Sequence, residues 1–339
     1  MRRRLTPFRV VGGIVVLLLV TILILLDIPS GKYLLLPDVA HPVAPLVRVQ
    51  GAHSPQGSGS IYFLDVIERR ASELEALFPW IRPNSTLEPA NDVVPPCSTE
   101  RQAIQAQLQE MAFSQRVAAT VALRQLGYHV AVQPSGVVVS QLIAGTNAPC
   151  KLQPMDVIVA VDGTPTPTVA SLHGALGRVK PGAVVALRVH RGGRTLTVRI
   201  RTIAITQEPG LAFVGFAPDQ AATFKLPIRV SIDAGGVGGP SAGLAFALEV
   251  MQKLGRDVTR GYRVAATGQM ELNGTVAPIG GVRQKVVDAQ KADVDVLLVP
   301  AGGGNAAVAR RYAPRHLRVI PVRSFAQALR ALATLPRVR

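Results

Sequence analysis

Aromatic side chains are scarce in this sequence. They make up 4% of its 339 residues, and only one, Trp80, is a tryptophan. Single-stranded nucleic acid is held by bases stacking on aromatic platforms, and no nucleic-acid-binding motif accompanies the net charge of +16. Nucleic acid is therefore not an expected partner. There are two cysteines, Cys97 and Cys150, and six scattered histidines, with neither C-x-x-C nor H-E-x-x-H among them. That spacing predicts no metal site, and no cofactor is expected. A phosphate-cradling G-x-x-x-x-G-K-[ST] is also missing. From Val296 onward there is no aspartate or glutamate, while eight arginines stand between Arg310 and Arg339. Such a stretch reads as a solvated basic face, or, on a tethered protein, as a face turned to anionic lipid or cell-wall polymer.

What is present starts with an apolar run. Val10 to Leu26 contains no charge, and seventeen residues is the low end of the roughly 17–25 that span a bilayer. Arg2, Arg3, Arg4 and Arg9 precede it, whereas only Lys32 follows closely, beside Asp27 and Asp38. The positive-inside rule then puts the N-terminus in the cytoplasm and everything after Asp27 outside. A cleaved signal peptide is the alternative, but no A-x-A-like site follows closely. Outside the cytoplasm Cys97 and Cys150 could pair; the sequence leaves that open.

The pattern divides the chain into five parts: a basic N-terminus (1–9), a transmembrane helix contacting lipid (10–28), a linker and N-terminal region (29–125), a unit of short strands (126–205) and an alternating strand–helix region (206–339). Residues 31–60 are rich in Pro, Gly and Ser and read as linker. Ile61 to Glu68 reads as a strand, Ser72 as the cap of a short helix, and Thr99 to Leu126 as one long helix or two. The strand-rich unit has one helix, from about Thr168 to Leu176. In the last region "LPIRVSID" reads as a strand and Asn273-Gly274 as a hairpin turn. The fold class is α+β.

The stretch "GGVGGPSAGLAFALEV" puts glycines at 235, 236, 238 and 239 and Pro240 directly before Ser241. A helix is expected from Ser241 to Leu254. Its first amides lack intrahelical partners and lie at a positive dipole end, a setting that stabilises an oxyanion. A serine nucleophile needs a base, and no histidine precedes His316 in this region. Lys285, in the first turn of a helix opened by Gly280-Gly281, is the better candidate. A free lysine is neutral in only one of ~2,500 molecules at pH 7; burial and a helix N-terminus both disfavour its ammonium form. A serine-capped helix and a solvated lysine are the plainer readings of each residue alone.

Taken together, "GGPSAG", "TGQMELNGTVAPIGGVRQK" and "VLLVPAGGGN" resemble the proteolytic domain of the Lon peptidases over about Gly210 to Leu335. The resemblance implies the ribosomal protein S5 domain 2-like fold, with Ser241 as nucleophile and Lys285 as general base. It also implies supporting places for Thr267, Gly239 and Pro240. Gln269 stands where many family members have glutamate. The motifs "VVVSQLIAGTNA", "KLQPMDVIVAVDG" and "VALRVHRGGRTLTVRI" resemble a PDZ domain of the bacterial type, mainly β, with Leu126, Gly127 and Tyr128 at its carboxylate-binding loop. Met155 and Pro149-Cys150 depart from that pattern. The combination resembles the membrane-anchored, ATP-independent Lon-like serine proteases. That implies peptide or protein substrates, an extracytoplasmic site of action and a hexameric homo-oligomer. It also suggests that the 61–68 strand belongs to the protease sheet. Two other readings remain at this point: a GHMP-type kinase-like nucleotide binder, whose glycine-rich loop also precedes a helix, and a catalytically inactive PDZ scaffold.

Overall fold

An uncharged run with no polar face is apolar on every side, as buried and membrane-spanning helices are, and here it folds as a helix standing clear of the rest. In a computed structural model, which describes residues 7–57, 59–205 and 208–338, α1 spans Pro7–Asp27. Its Val10–Asp27 window is long and apolar enough to cross a membrane, and none of it is buried within the protein. Arg2, Arg3 and Arg4, and residues 206 and 207 where the last region is expected to begin, lie outside the described residues.

Residues 31–60 correct an expectation. The stretch read as linker holds most of a long strand, β1 (Pro29–Pro42), and a short one, β2 (Val47–Val49). Tyr33, Leu34 and Leu35 are buried, and β3 (Ser60–Ser72) pairs antiparallel with β1 from Pro29↔Ser72 to Pro42↔Tyr62. Pro29 and Pro37 both border breaks in the register. Proline, which has no N–H to give the ladder, is tolerated at such irregularities.

Ser72 caps α2 (Glu73–Leu77) through a capping box with Glu75, and a 3-10 turn follows over Pro79–Ile81. Then come β4 (Thr86–Pro89), α3 (Ala90–Val93) and α4 (Glu100–Gln125). α4 is one unbroken helix, started by a capping box of Thr99 and Gln102.

The strand-rich unit comprises β5 (Ala131–Leu142), β6 (Val157–Val161), β7 (Thr164–Pro165), α5 (Val169–Leu176), β8 (Val184–Arg191) and β9 (Arg194–Arg201). β10 (Ile203–Ile205) and β11 (Glu208–Phe213) pair with each other, and β12 (Phe216–Lys225) returns along β5. The sheet order is β12-β5-β6-β8-β9, with β7 on β6. Its own core contains Val137, Ile158, Leu187 and Ile200. Cys97 and Cys150 are bonded, with Cα atoms 5.0 Å apart, tying the loop before α4 to the β5–β6 connection.

The last region holds β13 (Val230–Ile232), α6 (Gly243–Lys253), β14 (Arg263–Ala266), β15 (Gln269–Met270), β16 (Val276–Ala277), α7 (Val282–Lys291), β17 (Val296–Pro300), α8 (Asn305–Tyr312), β18 (Arg318–Val322) and α9 (Phe325–Ala333). The "LPIRVSID" strand is thus only three residues long, and it pairs with β2. The main sheet runs β18-β17-β14-β3-β1-β4. β14 lies parallel to both β17 and β3, so strands from before and after the β5–β12 unit share one sheet. On one side α6 buries Leu244, Phe246 and Leu248 against α4 and the sheet. On the other, α7 buries Val282, Val286 and Ala289.

Candidate active site

Ser241 sits on the turn that leads into α6. The sequence places the helix start at Ser241, but α6 begins at Gly243 with Ala242 as N-cap. The cause is tertiary. The Ser241 carbonyl accepts the Gly268 N–H at 2.7 Å and the Thr267 hydroxyl at 3.3 Å, which holds it to the loop after β14. On the opposite side the Ser114 hydroxyl of α4 donates to the Pro240 carbonyl at 2.9 Å, and the Gly239 N–H donates to the Gln107 carbonyl at 2.8 Å.

Four glycines here have a physical reason. Gly239 adopts φ +79° and Gly235 φ +61°, which disfavours a side chain. At Gly243 a Cβ would stand 2.8 Å from the Ser114 hydroxyl and 3.1 Å from Met270. At Gly238 a Cβ would stand 2.7 Å from the Gln107 Cβ, crowding α4 as it would at Gly243. Gly236 has open space around it and no positive φ, so nothing within the fold requires its bareness.

Lys285 arrives from the other side of the sheet. Its helix, α7, starts after Gly281, whose φ is +67° and whose absent Cβ would meet Val66 at 2.7 Å. Asn305 steadies the preceding loop: its side-chain oxygen accepts the Ile279 N–H and its amide donates to the Ile279 carbonyl, both at 2.9 Å. Lys285 is 3% exposed. Its Nζ lies 2.7 Å from Ser241 Oγ and 3.3 Å from Thr267 Oγ1. Thr267 is fully buried.

Burial lowers the Lys285 pKa to about 8, while the carboxylates of Asp65, Asp288 and Glu68 act in the opposite direction. About one lysine in ten is then neutral at pH 7. A hydroxyl within hydrogen-bond reach of such an amine is an arrangement suited to nucleophilic catalysis. The pair opens on a cleft of about 640 Å³, which Asp65, Glu68, Glu110 and Gln269 also line. Burial, aided by the charge of Glu68, raises Glu110 to about 7. Burial likewise raises Asp288, behind Lys285 on α7, to about 6.

The sequence reading missed Ser114, Asp65, Glu68, Glu110 and the bridging role of Asn305. The first four have no local signature, because α4 and β3 reach the cleft only through packing.

Among the described residues one group has its ligand atoms close enough for a metal: Asp38, His41 and Asp65, within 4.8 Å of one another. There His41 Nε2 already sits between the carboxylates, 3.6 Å from Asp38 and 3.2 Å from Asp65. The residues expected at a carboxylate-binding loop are not gathered into one groove. Leu126 caps α4 and packs on the core shared with α6, Gly127 has φ +88°, and Tyr128 is 39% exposed. The cleft beside α5 is lined instead by Leu172, Leu176, Leu211, Phe213 and Phe216.

Residues 212–332 match the Lon protease (S16) C-terminal proteolytic domain, and residues 124–202 match a PDZ domain. Lon protease 1 of Sorangium cellulosum is 35% identical over 108 residues, 29% of this chain and 13% of that protein. Lon protease 1 of Herpetosiphon aurantiacus is 40% identical over 86 residues, 25% of this chain and 10% of that protein. The chain therefore spans only a small part of the length of these relatives. Among solved structures, the PDZ domain of the SdrC-like protein from Listeria monocytogenes is 21% identical, covering 25% of this chain and 87% of that one, with a TM-score of 0.24. The Ser241–Lys285 pair lies inside the first matched segment, and the chain carries a Lon-type (S16) proteolytic domain together with a PDZ domain.

Proposed function

We propose that this chain is an ATP-independent serine endopeptidase anchored in the membrane by α1, acting on extracytoplasmic peptides or proteins. The observation that carries the reading is the 2.7 Å contact between Ser241 Oγ and the buried Nζ of Lys285. Neutral Lys285 takes the Ser241 proton as Oγ attacks a peptide carbonyl. Main-chain amides on the turn that carries Ser241, just before α6, hold the oxyanion. Lys285, now an ammonium, returns the proton to the leaving amine. Water then releases the acyl group, with the amine again as base. Thr267 positions Lys285, and Gly239 and Pro240 shape the approach to Ser241. No metal or other cofactor takes part.

In this reading β1–α4 and the chain from β13 onward build the proteolytic unit, and the β5–β12 unit is an inserted PDZ domain; its end lies beyond the boundary expected at 205, because β12 returns along β5. One edge of β5 is taken by β12 and the other by β6. An extended peptide therefore docks in the cleft between α5 and the 211–218 segment, and from there reaches Ser241. Hexamer formation follows the resemblance to Lon peptidases. A nucleotide-binding scheme gives the Ser241–Lys285 contact no task.

The test is a comparison of shed and membrane-retained peptides from cells carrying wild-type protein or Ser241→Ala. Peptides that vanish in the variant identify substrates. Identical peptide sets, with equal protein levels, overturn the assignment.

A further inference from the structure

Among the described residues Trp80 is 72% exposed, more than any other large apolar side chain outside α1. Leu77, Phe78 and Ile81, beside it in sequence, are 57%, 39% and 42% exposed. The Phe78 and Trp80 rings meet edge-on with centroids 5.1 Å apart. A contiguous apolar surface of this kind marks a contact, and its place in the fold says with what. The Glu73 N–H, at the start of α2, donates to the Ile28 carbonyl at 2.9 Å, and Pro29 lies opposite Ser72 in the sheet. α2 and the following turn are thus fastened to the end of α1.

Length sets the depth. The 18 residues of Val10–Asp27 rise about 27 Å at 1.5 Å each, against a hydrocarbon core of about 30 Å. If α1 spans, Ile28 stands at the boundary of the hydrocarbon, and the Leu77–Ile81 segment lies in the headgroup layer. Tryptophan favours that layer. The charge fits as well. Arg69, Arg70 and Arg82 line a notch of about 390 Å³ against Leu26, Asp27 and Ile28, at the level where lipid phosphates lie. Glu75 answers part of that charge, accepting from Arg69 and Arg82.

We propose that Leu77, Phe78, Trp80 and Ile81 insert into the outer headgroup layer of the bilayer, with phospholipid phosphates at the arginine notch. This second membrane contact holds the folded part at a set angle to α1. The inference rests on the reading of α1 as a span.

The test uses the only tryptophan as its reporter. Full-length protein is reconstituted in phosphatidylcholine–phosphatidylglycerol vesicles with tail-brominated lipid and excited at the red edge, where tyrosine does not absorb. The expected result is a blue-shifted emission quenched by about two-fold or more, since bromine quenches only rings at the membrane. The double variant Leu77→Asn, Ile81→Asn loses most of that quenching with an unchanged far-ultraviolet circular dichroism spectrum. Protein that survives alkaline extraction with Trp80 unquenched by bromine and open to aqueous acrylamide overturns the docking and leaves the anchor standing. Trp80 shielded from both quenchers means that a protein surface covers it, and also overturns the docking. Protein washed off the vesicles overturns the anchor and the docking together.

Discussion

Thr267 bridges the two halves of the candidate site: its hydroxyl accepts from Lys285 Nζ at 3.3 Å and donates to the Ser241 carbonyl at 3.3 Å. One buried side chain thereby fixes the amine against the backbone that carries the alcohol. Thr267→Val keeps the volume and removes both bonds. The expected outcome is a fall in kcat of up to about 100-fold, since small misplacements of reacting groups have that cost, with KM little changed. Thr267→Ser restores most of the loss. Steady-state kinetics on a cleaved peptide check both.

The pH profile follows from Lys285. In the proposed mechanism the neutral amine is the active form, and burial holds its pKa at about 8. kcat/KM therefore rises about ten-fold per pH unit below 8 and levels off above it. Asp65 favours the ammonium form, so Asp65→Asn lowers the pKa and moves the profile towards acid. A midpoint that stays in place or moves up contradicts this electrostatic assignment.

Glu75 gives stability its acid limit. It is buried and receives hydrogen bonds from Arg69, Arg82 and the Ser72 N–H. These contacts, led by Arg69, lower its pKa from 4.5 to about 2. Because the folded value is the lower one, the contribution is whole above about 4.5 and fades as pH falls towards 2. Glu75→Gln is expected to cost about 2 kcal/mol at neutral pH, less than a fully buried pair because both arginines reach solvent. It also flattens the loss of stability between those two pH values. Denaturant titrations at several pH values measure both effects.

The Cys97–Cys150 bond closes a loop with a sequence separation of 53. Cys97→Ser is expected to reduce stability by as much as about 4 kcal/mol through loop entropy. Reduction of the wild type with dithiothreitol gives the same shift in a urea titration.

Helix starts were the most legible part of the sequence, because a cap is a local event: Ser72, Thr99 and Thr168 each cap a helix where the pattern placed one. The α+β class and the strand-rich unit were legible from the change in hydrophobic period. β1 was not. Its prolines imitate a linker, and their tolerance depends on register breaks that only the partner strand reveals. The start of α6 was misplaced by two residues because the Ser241 carbonyl is drawn to Gly268, a bond across 27 positions of sequence. The acidic wall of the cleft was invisible for the same reason. Asp65, Glu68 and Glu110 come from β3 and α4, and no spacing rule links them to Ser241.

The most direct test of the central claim is the cleavage rate of a peptide library by the purified full-length protein, wild type against Lys285→Ala, each checked for folding by thermal melting. A fall of about 10³-fold or more, matched by Ser241→Ala, is the expected result for loss of the base of a serine nucleophile. A folded Lys285→Ala protein that cleaves at the wild-type rate would contradict it.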